Sequence, residues 1–196
     1  MGEYPLLGME ESMAIGRDIR RRTYAEKASD ELAGLAQRGV CMGGNAFSSV
    51  LVAKGQLSDD EMAGAEPFSG ADGAALKASL ARLGYPPEDW ATLLTVSDAG
   101  EPLSPELLRE AIAALDPATL ILCDDTASAA VREAFADELV AIEELPVAML
   151  EPGYIAYVRG IRTMSLGGFA GALVSPQLKQ LMWARLKQLP PLGEPF

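Results

Sequence analysis

The sequence predicts a three-layer α/β/α sandwich built on a four-stranded parallel sheet, and three observations carry that expectation. Short continuous apolar runs alternate with segments of helical periodicity four times along the chain, the pattern of doubly buried strands joined by crossover helices. The helical segments begin and end on capping residues. The length of 196 residues, with 49% hydrophobic and 22% charged, is enough to bury one sizeable core.

Taken in order, residues 9–38 read as helical, with Met13, Ile15, Ile19, Tyr24, Leu32 and Leu35 apolar and an interruption near 23–29. "CMGGNAFSS" (41–49) reads as a loop from its Gly-Gly-Asn content, and "SVLVAKG" as the first strand. "DGAALKASLARLGY" (72–85) puts Leu76, Leu80 and Leu83 on one helical face and stops at Gly84. "WATLLTVS" (90–97) is the second strand. "SPELLREAIAALDP" (104–117) has Ser104 as N-cap and Pro105 at the first helical position. "ATLILC" (118–123) is the third strand and leads directly into a helix, "DDTASAAVREAF" (124–135). "LPVAML" (145–150) is the fourth strand, and "SPQLKQLMWARLKQL" (175–189) a closing amphipathic helix. Residues 1–43 are expected to form an N-terminal helical segment packed on a domain spanning 44–196.

Composition excludes several chemistries. The net charge is −12, from 28 acidic and 16 basic side chains, so duplex DNA meets repulsion where binders gain counterion release. The one basic cluster, Arg17, Arg20, Arg21 and Arg22, reads as the exposed face of a helix. Lys54, Arg159 and Arg162 are the basic residues expected near the rim. Histidine is absent, which removes the commonest general base and every Ser-His or Cys-His pair. With two separated cysteines, Cys41 and Cys123, neither a zinc site nor a disulfide framework is expected. The opening "MGEYPLLGMEESM" reads as no signal peptide, and no apolar run approaches the ~20 residues of a membrane span. The expectation is a cytoplasmic protein.

Ligands of parallel sheets sit at the carboxyl ends of the strands, so the loops after Ala53, Val96, Cys123 and Leu150 should converge. Gly55, Phe68, Asp124 and Glu151 are therefore expected at one rim. The motifs around these positions resemble the uracil-DNA glycosylase superfamily, most of all its thermophile-type iron–sulphur branch, over roughly residues 44–190. "GNAFSSVLVAKG" is similar to the strand leading into the family's Gly-Glu-Ala-Pro-Gly motif. "EPFSGADGAALKASLARLGY" (66–85) resembles Pro-Phe-x-Gly-x-x-Gly-x-x-Leu and the helix after it. "LSPELLREAIAALDPATLILCDDTASAAV" resembles the family's next helix, strand and alanine-rich helix, and "LEPGYIAYVR" its His-Pro-Ser-x-x-x-Arg signature.

The resemblance implies a pocket for a flipped base, with Phe68 as the ring on which the base stacks. It also implies what is missing. Gly55, or Gln56 with a slip of one residue, stands where the family has its water-activating acid, and neither is a general base. Leu93 stands in place of the base-reading asparagine, and Glu151 in place of the catalytic histidine. An ionised glutamate repels the charge that develops on a leaving base. Two cysteines cannot hold the family's cluster, so no iron–sulphur cluster or other cofactor is expected. The resulting pocket, Gly55, Gln56, Phe68, Leu93, Asp124, Glu151, Pro152 and Gly153, points to a protein without glycosylase activity that binds a protein or small molecule, with no role for membranes or duplex DNA.

Two other readings remain at this stage. Glu151 with Asp59, Asp60 or Asp124 makes a carboxylate pair for hydrolysing N-glycosidic bonds by altered chemistry. Asp124 and Asp125, closing the third strand, suggest magnesium ligands, or a helix cap at Asp124 or Asp125. The glycine-rich "TMSLGGFAGALVSP" (163–176) has no assigned role.

Overall fold

The computed structural model describes residues 29–192 except 87 and 98; most of the predicted helix over 9–38 and the arginine cluster lie outside the described residues. The described part of that helix, α1, covers 29–37. Further elements in chain order are β1 (Met42–Gly44), β2 (Val50–Lys54), α2 (Asp59–Met62), α3 (Ala71–Leu83), β3 (Ala91–Leu94), α4 (Pro105–Leu115), β4 (Thr119–Leu122) and α5 (Asp125–Ala134). They continue with α6 (Ala136–Leu139), α7 (Leu145–Ala148), β5 (Ile155–Val158), β6 (Ile161–Ser165), α8 (Phe169–Ala172) and α9 (Pro176–Leu186). Among the described residues no helix is long and apolar enough to cross a membrane.

The expected four-stranded parallel sheet is corrected to a mixed sheet of six strands in the order β1-β3-β2-β4-β6-β5. Its inner strands β3, β2, β4 and β6 pair in parallel, while β1 and β5 pair antiparallel at the two edges. β2, β3 and β4 are buried at every position, as continuous apolar runs require. Their side chains alternate between two cores. Leu51, Leu93, Leu120 and Leu122 face α1, α4 and α5. Val50, Val52 and Ile121 face α3 and α9 across Leu76, Leu80, Met182 and Leu186.

The fourth parallel strand is not 145–150. That segment forms α7, with Pro146 in its first turn, a position proline favours because its missing N–H has no helical partner there. Leu145 is 68% and Met149 43% exposed, so the run was never a buried strand. The strand's place is taken by β6, which the hairpin β5–β6 delivers. Arg159 and Gly160 make the turn with φ of 52° and 85°, the left-handed pair that a two-residue hairpin needs. β1 likewise replaces part of the expected 41–49 loop, and the expected boundary at 43/44 falls inside that strand.

The caps behave as read. Ser104 Oγ accepts the Leu107 N–H, and Ser175 Oγ that of Leu178. Gly84 ends α3 in the left-handed region at φ 98°, which costs glycine nothing.

Arg162, in β6, is buried, and its guanidinium ties three parts of the chain. Nη2 donates to Thr119 Oγ1 at 2.8 Å, to the Pro190 carbonyl at 2.7 Å and to the Tyr85 hydroxyl at 3.2 Å. The Tyr85 hydroxyl donates in turn to the Leu189 carbonyl at 3.0 Å. The chain after α9 is thereby anchored to the amino end of the sheet. Arg162→Ala should lower the unfolding free energy by about 2–4 kcal/mol, because it leaves the buried Thr119 and Tyr85 hydroxyls without this donor and releases the chain after α9. Urea denaturation reads this directly, and a loss below about 0.5 kcal/mol, the level of an ordinary surface change, would refute it.

Candidate functional site

The rim begins with Lys54, the last residue of β2. Its side chain turns under the 58–72 segment and is 5% exposed, with Nζ 2.6 Å from Glu61 Oε1 and 2.9 Å from Asp72 Oδ2. Glu61 is placed by local sequence. In Ser58-Asp59-Asp60-Glu61, Ser58 caps α2 and Glu61 returns to the Ser58 N–H at 2.8 Å, a reciprocal capping box. The same carboxylate accepts the Phe68 N–H at 2.7 Å. Asp72 lies in the first turn of α3, where the helix dipole favours an anion. One ammonium thus joins the sheet to α2, α3 and the Phe68 loop.

The loop itself is held hard against α3. Phe68 has φ of 59°, and a Cβ at Gly73 would fall 1.7 Å from the Phe68 carbonyl oxygen. Only glycine at 73 permits that approach. The Phe68 ring is 3% exposed. Lys54 Nζ stands 4.7 Å from its centroid, and Trp90 packs edge-on at 6.0 Å. Lys77 Nζ lies 4.7 Å from the Trp90 ring.

The next part of the rim is a seam between β2 and β4. Asp124 follows β4, and its carboxylate accepts three backbone N–H groups: Gly55 at 2.9 Å, Gln56 at 3.0 Å and Ala127 at 2.7 Å. It is at once the N-cap of α5 and the clasp of the β2 loop, which is a helix-capping role and not that of a metal ligand. Asp125 is exposed in the first turn of α5. Gly55 is filled from both sides, since a Cβ there would come 2.5 Å from Thr126 Cγ2 and 2.6 Å from Thr95 Oγ1. Among the described residues no three His, Cys, Asp or Glu side chains gather as a metal-binding group. Burial, with Asp124 next, pushes the Cys123 thiol well up, so it is not a thiolate nucleophile.

The predicted site residues therefore separate into groups. Gly55, Gln56 and Asp124 are brought together by hydrogen bonds, and Phe68 joins them through Lys54. Leu93 is fully buried in the core on the opposite face of the sheet from Phe68, so it does not line a pocket with that ring. Asp59 and Asp60 are exposed on α2. Glu151 follows α7 instead of ending a strand; its N–H donates to the Pro146 carbonyl at 2.9 Å and its side chain is exposed. Pro152 and Gly153 fold over the end of β6, where the Gly153 N–H donates to the Ser165 carbonyl at 2.9 Å. The residue that does follow the fourth parallel strand is Leu166. Its N–H donates to Leu122 and its carbonyl accepts from Arg185. Phe169 then fills the same end from above, its N–H on the Cys123 carbonyl at 2.7 Å.

Glu61 is the site residue that the motifs do not single out, and Lys54 and Arg162, expected near the motifs as basic residues, are both buried. The Ser-x-x-Glu spacing was the signal for Glu61. Nothing local marks Lys54 as buried except its place at the end of a continuous apolar run. Arg159 is exposed, but it sits in the β5–β6 turn at the amino end of β6, across the sheet from the rim.

Protonation of the Lys54 cluster should be visible in stability. Burial alone would push the Lys54 ammonium down, but the Glu61 and Asp72 carboxylates overcome it and hold its pKa above the ordinary lysine value. Burial would push Glu61 up, yet the Lys54 ammonium and the Ser58 and Phe68 N–H groups hold it below the ordinary carboxylate value. The Lys54 contribution is thus complete below its unfolded pKa of ~10.4 and lost as pH rises through the higher folded value. The Glu61 contribution is complete above ~4.3 and lost as pH falls through the lower folded value. Lys54→Ala should cost about 3–5 kcal/mol near neutral pH, because the buried Glu61 and the partly buried Asp72 lose their counter-ion. Its deficit should shrink on acidification, as protonation of Glu61 relieves the unpaired charge. Chemical denaturation of both proteins from pH 3 to 8 measures this, and a pH-independent deficit would count against the buried triad.

Compared with known proteins, the sequence matches no family model and no curated protein.

Proposed function

We propose that this protein is a divergent member of the uracil-DNA glycosylase superfamily that has lost base excision and serves as a binding module for a small molecule or another protein. The observation that carries the reading is the state of Phe68. The ring on which a flipped base would stack is 3% exposed and has a lysine ammonium over it. The motif order supports the family assignment: the Pro-Phe-x-Gly-x-x-Gly run forms the loop and first turn at the amino end of α3, and it follows the central strand β2.

The remaining parts favour lost catalysis. Gly55 has no side chain, and Thr95 and Thr126 occupy the space one would need. Asp124 has both oxygens committed to backbone donors. The histidine's place falls on Glu151 by motif or on Leu166 by position after the fourth parallel strand. The first carries the wrong charge for a developing anion and the second carries no donor.

Purified protein should release no uracil from single- or double-stranded DNA above background, since one oxyanion-stabilising donor alone is worth roughly 10²–10³ in rate. Uracil release that disappears in Glu151→Ala would overturn the proposal and put Glu151 in the catalytic role. Duplex DNA should bind weakly as well. Lys54 and Arg162 are buried and Arg159 sits in the β5–β6 turn at the other end of the sheet, which among the described residues leaves Lys77 as the exposed cation beside Phe68 and Trp90, fewer than a phosphate backbone needs. Fluorescence anisotropy with a labelled 20-mer should show no submicromolar binding at ~0.15 M salt; salt-sensitive binding lost in Arg159→Ala would contradict this.

A further inference from the structure

The glycine-rich segment after β6 builds the wall of an apolar groove that the rim chemistry does not use. The groove lies between α3, α8 and α9 and encloses about 440 Å³. Phe169 and Leu173 line it from the α8 side, Met182, Trp183 and Leu186 from α9. Ala71, Ala75 and Ser79 line it from α3. Their side chains are too short to fill the gap between the helices. The volume falls at the lower end of the range for small-ligand pockets, about 300–1,000 Å³.

Its charge sets it apart from the rest of the molecule. In a chain of net charge −12, no acidic residue among the described residues lines the groove and one lysine, Lys179, does. Lys179 has no carboxylate partner among the described residues. Arg82 adds a second cation beside the groove, 5.5 Å from the Trp183 ring, and is likewise outside every ion pair described. An apolar trough with unpaired cations at its margin is complementary to a ligand with an apolar body and one anionic end.

We propose that the groove binds a single-chain amphiphilic carboxylate free in solution, its alkyl chain along Phe169, Met182 and Leu186 and its carboxylate at Lys179. This rests on the reading of the protein as a binding module and names a class of ligand for it. A membrane is the poorer source of such a headgroup. Anionic leaflets attract clusters of Lys and Arg, whereas here two cations stand against a large negative net charge. The volume suits one chain and not two.

Isothermal titration calorimetry with decanoate below its micellar concentration tests the assignment, with decanol and decyltrimethylammonium as the neutral and cationic counterparts. Decanoate should bind one to one and more tightly than either. Lys179→Glu should weaken decanoate about tenfold, the value of one charged hydrogen bond, and leave decanol unchanged. Ala75→Phe should abolish binding of both, with circular dichroism confirming that each variant is folded. Absence of saturable decanoate binding, a Lys179→Glu variant of unchanged decanoate affinity, or equal affinity for the cationic amphiphile would each overturn the proposal. Co-sedimentation with phosphatidylglycerol vesicles that is lost in Lys179→Glu would overturn it in favour of a lipid surface. The uracil-release assay is independent of all these outcomes, so a dry groove leaves the loss of catalysis standing.

Discussion

A charged amine at the end of the central strand sets the terms for everything around it. Lys54 could not lie 5% exposed without two carboxylates to neutralise it, because the desolvation of an unpaired ammonium costs several kcal/mol. Glu61 and Asp72 supply them, and to do so α2 must be capped at Ser58 and α3 must start at Gly70. That fixes the length and path of the chain between them, which brings Phe68 into the left-handed region and onto Gly73. The capping box, the close approach at Gly73 and the buried aromatic pair are thus a single arrangement seen from different residues. A related protein with an acid at position 55 would need space for its side chain where Thr126 now packs, and the seam between β2 and α5 would have to open.

Asp124 shows how the same rim can be rich in carboxylates and poor in chemistry. Its oxygens accept from N–H donors that are already parts of the fold, so a ligand can bind it only by displacing the α5 cap or the β2 loop. Acid–base catalysis needs groups that change partners during a reaction. Here the partners are structural, and the carboxylates nearest the strand ends are spent on them. The exposed acids, Asp59, Asp60 and Glu151, lie outside the enclosed part of the rim.

Much of this was legible in the sequence, and what was not has identifiable causes. Capped helices were readable because their signals are local: Ser104 with Pro105, Ser175 with Pro176, Gly84 after Leu83. The doubly buried strands β2, β3 and β4 were readable because burial on both faces forces continuous apolar runs. "LPVAML" misled for the reason that a six-residue apolar run does not distinguish a strand from a helical turn, and Pro146 in second place tips it to the helix. The β5–β6 hairpin had a sequence signal in the Arg-Gly turn between alternating residues, but β6 earns its central place only by pairing with β4, a tertiary event. At the candidate site, the identities of the residues at the strand ends were clear. Their availability was not, since only the packing reveals that Lys54 is spent, that Leu93 faces away from Phe68, or that Gly55 is walled in.

The antiparallel strands at the margins of the sheet bear on edge-to-edge pairing between copies of this chain. The segments with the strongest tendency to form intermolecular cross-strand stacks, "VLVAK" and "TLIL", are paired on both sides at the centre of the sheet and offer no template. The open margins are β1, of three residues, and β5, of four. β1 ends on Gly44 at φ 74°, which swings the backbone out of the plane of the sheet, and β5 ends at the Arg159–Gly160 turn. A margin this short presents too few unpaired N–H and C=O groups to nucleate an added strand. Substitutions that lengthen or flatten either margin would remove a safeguard against edge-to-edge aggregation without touching the core.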